Sequence, residues 1–171
     1  MKDSVLIVDG YNVINSWNEF SSIRKTDLDH ARDLLVRYVS EYVVFLGWQA
    51  MVVFDAMEVA GPEESERVAG LQVIFTAENE TADTWIERSA YKLAKGGAKV
   101  FVVTSDYAEQ NSILGSGAYR VSSREFRENF LRVKKQIAEK IEKLPQGLGR
   151  NEVGGRLGHS VLEHLEKMRR K

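Results

Sequence analysis

Four short runs of apolar, β-branched and aromatic residues recur along this chain, with segments of helical spacing between them. The runs are Ser4–Asp9 (SVLIVD), 49–56 (QAMVVFDA), 71–76 (LQVIFT) and 99–106 (KVFVVTSD). A run that is apolar at consecutive positions suits a strand buried on both faces, as in a parallel sheet. The segments between them follow another period. In 26–46, Leu28, Ala31, Leu35, Tyr38, Tyr42 and Phe45 recur three and four apart. That spacing predicts an amphipathic helix, opened by Thr26 with Asp29 and closed by Gly47. Ala82, Ile86, Ala90 and Leu93 repeat the pattern in 81–95, up to Gly96 and Gly97. Phe126, Phe130, Val133, Ile137, Ile141 and Leu144 repeat it in 122–144, behind a capping box of Ser122 and Glu125. Residues 57–70 read as a polar connection and 107–114 as a short helix. Residues 118–122 read as an edge strand, 145–158 as a glycine-bearing loop and 160–170 as a last helix. Alternating strands and helices predict an α/β fold, a three-layer α/β/α domain with a mainly parallel sheet. The domain is expected over 1–144, with 145–171 packed on it or appended to it.

Composition removes several classes. The chain of 171 residues has no cysteine, which excludes disulfide scaffolds, thiolate metal sites and thiol nucleophiles. No apolar run approaches the roughly 18 residues of a membrane span, and Asp9 interrupts the first run too early for a signal peptide. A cytoplasmic globular protein is the expectation. Net charge is −1, but it is unevenly spread. Residues 1–119 carry 10 Lys and Arg against 18 Asp and Glu, a net −8; residues 120–171 carry 14 against 7, a net +7. An acidic front and a basic back point to a nucleic-acid partner, with a solvated helix surface as the plain alternative.

Three of the apolar runs end in aspartate: Asp9, Asp55 and Asp106. Asp83 falls in the first turn of the helix after the third run. Right-handed crossovers place the carboxyl ends of parallel strands on one edge, where ligands bind in such sheets. All four aspartates are therefore expected on that edge, with Glu80, Asp83 and Glu87 sharing a helix face. Clustered carboxylates raise one another's pKa, and a cation between them relieves the repulsion. Hard oxygen donors suit Mg²⁺ or Mn²⁺. Two such ions about 3.5–4 Å apart can bind the attacking and leaving oxygens of a phosphodiester, with water as the nucleophile. Each aspartate alone has an ordinary alternative role as a helix cap or turn former. Asn12, in the turn made by Gly10, is a candidate to orient Asp9 or bind phosphate. Ser105, beside Asp106, is a candidate hydrogen-bonding partner of the same cluster.

VDGYN at 8–12, VVFDA at 52–56, TADTWIE at 81–87 and TSDYAEQ at 104–110 resemble the YacP-like branch of the NYN domains, relatives of the PIN-domain nucleases. The resemblance spans about residues 4–143. It implies a PIN-like fold and an endoribonuclease dependent on Mg²⁺ or Mn²⁺. It also implies Asp9, Asp83 and Asp106 as catalytic metal ligands, with Asp55 nearby; Glu87, on the helix face of Asp83, is a supporting candidate with a solvated helix residue as the alternative. It further implies association with the translating ribosome and mRNA as substrate. Glu109 stands where many relatives place another Asp.

An acidic site repels RNA unless a basic surface offsets it, and such a surface makes binding salt-dependent. Arg124, Arg127, Arg132, Lys134 and Lys135 are the candidates on the long helix, with Arg120 on its approach and Arg150, Arg156, Arg169, Arg170 and Lys171 in the tail. Tyr11 and Trp17 are candidates for stacking on a base, with core packing the alternative for Trp17. The loop 147–158 is a candidate for docking on ribosomal RNA. No nucleotide cofactor is expected. A phosphoacceptor receiver needs an acid next to Asp9, where Gly10 stands. An aspartate-nucleophile phosphatase needs D-x-D, where Tyr11 stands. A non-catalytic RNA- or ribosome-binding module of the same fold remains the alternative.

Overall fold

The computed structural model describes residues 3–56, 59–106 and 115–145. Strand β1 (Ser4–Asp9) leads into helix α1 (Gly10–Ser16), a 3-10 turn at Asn18–Phe20, α2 (Ile23–Thr26) and α3 (Leu28–Leu46). Then come β2 (Gln49–Phe54), β3 (Glu64–Val68), β4 (Leu71–Phe75), α4 (Ala82–Lys95), β5 (Lys99–Val103), β6 (Tyr119–Val121) and α5 (Ser123–Glu142). The six strands form one sheet in the order β3-β4-β2-β1-β5-β6. All neighbours are parallel except β3 and β4, which form a hairpin.

Successive residues of the strands feed two cores, because side chains alternate across a sheet. Leu6, Val8, Ala50, Val52 and Val103 join one core with residues of α1, α3 and α5. Val5, Ile7, Val53, Val100 and Val102 join the other with Ala82, Trp85, Ile86 and Ala90 of α4. Burial on both faces explains why β1, β2 and β5 read as unbroken apolar runs. The expected three-layer α/β/α architecture with a mainly parallel sheet is the one observed.

Several local expectations need correction. Residues 57–70 are not only a connection, since β3 lies within them. It escapes detection because Glu64, Ser65, Glu66 and Arg67 are all exposed, as suits a charged edge strand. The turn into β4 is two residues, Ala69 (φ 58°) and Gly70 (φ 81°), both left-handed as a tight hairpin demands. Residues 10–16 are helix α1 rather than a tight turn, with Asp9 as its cap. Helix α3 starts one residue later than the Thr26–Asp29 box implies, because Asp27, which ends the preceding turn, is its cap and accepts the His30 N–H at 3.0 Å. Strand β5 stops at Val103, so Asp106 lies three residues beyond it. Glu80 precedes α4, whose cap is Thr81, and pairs with Arg88; it does not share a helix face with Asp83 and Glu87. The Ser122–Glu125 capping box of α5 is present. The short helix expected at 107–114 lies outside the described residues. So do Glu109, the tail arginines, the last helix and all of the glycine-bearing loop beyond Pro145.

Candidate active site on the carboxyl edge of the sheet

Parallel register sets the heights of the acidic residues. Asp9 pairs with Val53, so Asp55 lies two residues beyond Asp9's level on the neighbouring strand. Val8 pairs with Val103, so Asp106 lies two residues beyond that level on the other side. Asp9 shares its strand parity with Val5 and Ile7, and Asp55 with Val53, all on the α4 side of the sheet. Asp55 Oδ2 accepts the Ala82 N–H at 3.4 Å, which ties the end of β2 to the first turn of α4. Asp83 is the next residue, exposed, with exposed Glu87 one turn further on. A concavity of about 280 Å³ opens beside them, lined by Asp55, Ala77, Glu78, Asn79 and Thr81 among others.

Asp9 is the most buried of the four aspartates, at 8% exposure. Its Oδ1 accepts the Asn12 N–H at 3.4 Å, so it caps α1 as well as facing the edge. Gly10 makes this geometry possible, and not through its backbone angles. A Cβ at Gly10 would lie 2.2 Å from Phe54 Cε1, so only glycine lets α1 start this close to β2. The ring of Tyr11 is tilted on Phe54 at 5.0 Å, and its hydroxyl accepts from Arg32 at 2.9 Å.

Asn12 has a definite role. Its Oδ1 accepts the Ser105 N–H at 2.9 Å and the Ser123 hydroxyl at 2.6 Å. Ser123 N–H donates in turn to Ser105 Oγ at 3.0 Å. Trp17 is a core residue, 2% exposed, whose Nε1 donates to the Ser123 carbonyl at 2.8 Å. Thr104 is fully buried, and its Oγ1 accepts the Asp106 N–H at 3.2 Å. Trp85, on the buried face of α4, packs against the sheet and donates to Glu63 at 2.9 Å. The sequence pattern marks only Ser122, the cap of α5, and gives no local signal for the role of Ser123, the first residue of the helix.

The donors gathered here are carboxylate oxygens, whose hardness fits Mg²⁺ or Mn²⁺. Among the described residues, no three His, Asp or Glu side chains stand close enough together to share one ion. The backbone brings the four aspartates to one edge, and their side chains do not form a closed set of ligands.

The basic candidates on α5 divide by partner. Arg127 is engaged with Glu19, through Nη2 at 2.5 Å and Nε at 2.9 Å. This pairing holds the Glu19 carboxyl below the usual range and raises the Arg127 guanidinium further. Lys134 lies over Tyr38 and Phe130, 5.6 and 5.9 Å from the ring centroids. Arg124 makes a long 3.4 Å contact with Glu128, and Arg132 one of 3.3 Å with Asn129. Lys135 is exposed. Arg120 and Arg124 line a depression of about 490 Å³ with Ser122, Glu125 and Glu128. Hydrogen bonds from Ser122 hold the Glu125 carboxyl below its ordinary value. This depression stands where β6 passes into α5.

The mainly parallel sheet with its flanking helices is the fold of the PIN-like nuclease class to which NYN domains belong. The chain belongs to the YacP-like NYN domain family, whose model matches residues 6–170. It is 37% identical over 166 residues to the uncharacterized protein YacP of Bacillus subtilis (strain 168), covering 97% of this chain and 96% of the relative. The crystal structure of Rae1 (YacP) from Bacillus subtilis matches with a TM-score of 0.72 at 37% identity, covering 97% of this chain and 94% of that one. A point mutant of Rae1 matches with a TM-score of 0.76 at 35% identity, covering 99% and 96%. The family and the fold make this a nuclease-type, RNA-related protein. No helix among the described residues is long and apolar enough to cross a membrane.

Proposed function

We propose that this chain is a divalent-metal-dependent endoribonuclease that cleaves mRNA in association with the translating ribosome. The observation that supports it most is the parallel register that ends β1, β2 and β5 side by side, with Asp9 closing β1, Asp55 one residue past β2, Asp106 three residues past β5 and Asp83 in the first turn of α4. Asp9, Asp83 and Asp106, which the backbone brings to one edge and whose side chains would have to close around the ion, would hold Mg²⁺ or Mn²⁺; the bound ion would supply charge to offset RNA phosphates at an acidic edge and to polarise the scissile phosphate. Asp55 anchors α4, and with it Asp83, to the end of β2. Glu87 extends the acidic face one turn along α4. Asn12 and Ser105 join the end of β5 to the start of α1. Arg124, Arg132 and Lys135 contact the RNA backbone beyond the edge.

The test compares wild type with Asp9→Asn and Asp83→Asn on mRNA, naked and in a translating extract. Both variants should keep the wild-type circular dichroism and melting temperature and lose cleavage by orders of magnitude. Mn²⁺ should raise the wild-type melting temperature through binding to the native state, and raise that of Asp9→Asn much less. Cleavage that persists in excess EDTA, or wild-type rates in either variant, would overturn the catalytic assignment. Equal cutting of naked and translated mRNA would remove the ribosome from the account. Ribosome co-sedimentation without cleavage under any condition would make the chain a binding module.

A further inference from the structure

Ser123 is fully buried, and three of its polar atoms point at three different parts of the fold. Its hydroxyl reaches Asn12 at 2.6 Å, its N–H reaches Ser105 Oγ at 3.0 Å, and its carbonyl receives Trp17 Nε1 at 2.8 Å. The direction of each bond can be worked out. The Ser105 backbone N–H can only donate, so the Asn12 atom 2.9 Å away is the carbonyl oxygen. Ser123 Oγ, facing the same oxygen, must then be a donor as well. Two donors fix the Asn12 carboxamide, and Asn12 sits in the first turn of the helix capped by Asp9. Ser105 directly precedes Asp106. The network therefore links the end of β1 that carries Asp9 to the chain beyond β5 that carries Asp106, and both to the start of α5.

We infer that Ser123 is a positioning residue for the acidic edge, which sets the separation of Asp9 and Asp106 through Asn12 and Ser105. This rests on the nuclease reading for its consequence in catalysis, and on the hydrogen-bond geometry alone for its effect on the backbone. Its hydroxyl touches neither aspartate. It acts by holding the two strand ends in one spacing, without which each carboxylate samples a wider range of positions. Outer partners of this kind typically change metal affinity or activity about 10–100-fold.

The experiment uses the full chain with Ser123→Ala and Ser123→Thr. Ser123→Ala should lower kcat about 10–100-fold with KM for RNA near the wild-type value. It should also shift the Mn²⁺ activation midpoint to higher concentration, so that excess Mn²⁺ restores part of the rate. Ser123→Thr, which keeps the hydroxyl, should recover much of the loss. A second readout needs neither metal nor RNA. Amide hydrogen exchange in Ser123→Ala should speed up at Ser105 and Asp106 while the centre of β1 keeps its protection. Wild-type exchange at Ser105 and Asp106 would overturn the inference, even if the wild-type protein proved to have no nuclease activity. Faster exchange with wild-type kcat and Mn²⁺ midpoint would equally overturn it, leaving the nuclease reading untouched. A global loss of protection in Ser123→Ala would transfer the decision to Asn12→Leu, which removes the same acceptor. Unchanged exchange at Ser105 in that variant would count against the inference.

Discussion

The Phe54 ring lies against Gly10 so closely that a Cβ at that glycine would come within 2.2 Å of Cε1. Gly10 is buried in the first turn of α1, directly after Asp9, so the contact fixes where the edge aspartate sits relative to β2. Phe54 is fully buried and stacked on Phe75 at 5.5 Å, so it cannot swing away freely. Gly10→Ala should therefore destabilise the fold by about 1–3 kcal/mol, the usual range for overpacking a core. Chemical denaturation measures this. Adding Phe54→Leu should recover part of the loss, and the double-mutant cycle should show a favourable coupling. Additive effects would mean that the two residues do not meet as described.

The sequence carries the central architecture in full view, because burial on both sheet faces writes β1, β2, β4 and β5 as apolar runs. The helices α3, α4 and α5 are equally plain from their periodic stripes. What it hides has physical causes. Helix α1 contains Gly10, Asn12 and Asn15, residues of poor helix propensity that read as a turn. It is helical because Asp9 caps it and Val13 and Ile14 are buried. Strand β3 has no apolar alternation, since it owes its existence to pairing with β4. The acidic edge is legible from Asp9, Asp55 and Asp83, because strand ends and helix starts place them. The network of Asn12, Ser105 and Ser123 is not, because it joins residues 93 and 111 positions apart, a separation no local pattern reports.

Glu19 and Arg127 form a forked ion pair between the 3-10 turn and α5. Arg127 depresses the Glu19 pKa, so the pair adds stability above the ordinary Glu value of 4.5 and loses it as pH falls through the lower folded value. Both side chains are about a third exposed, so the contribution is modest, about 0.2–1 kcal/mol. Arg127→Ala should lower the denaturation midpoint at pH 7 and flatten the loss of stability below pH 4.5. RNA affinity should change less in this variant than in Arg124→Ala. A larger loss of RNA binding in Arg127→Ala would show that the guanidinium leaves Glu19 for a phosphate.

Lys134 and Lys135 are neighbours on α5 with different surroundings, which separates a packing role from a binding role. The Lys134 ammonium covers Tyr38 and Phe130, rings that join α3 to α5 and lie 4.9 Å apart. Cation–π contacts at exposed sites are worth about 0.5–1 kcal/mol, so Lys134→Ala should cost stability of that order. Lys135, exposed on the same helix, is the better phosphate contact. Each phosphate neutralised on single-stranded nucleic acid contributes a slope of about −0.7 to the dependence of log K on log salt. Lys135→Ala should reduce the measured slope by about that amount while leaving the melting temperature unchanged. Titrations of a single-stranded RNA at several salt concentrations, using Asp9→Asn to prevent cutting, provide the comparison. An unchanged slope in Lys135→Ala would place the RNA elsewhere on the molecule. A reduced slope in Lys134→Ala without loss of stability would exchange the roles of the two lysines.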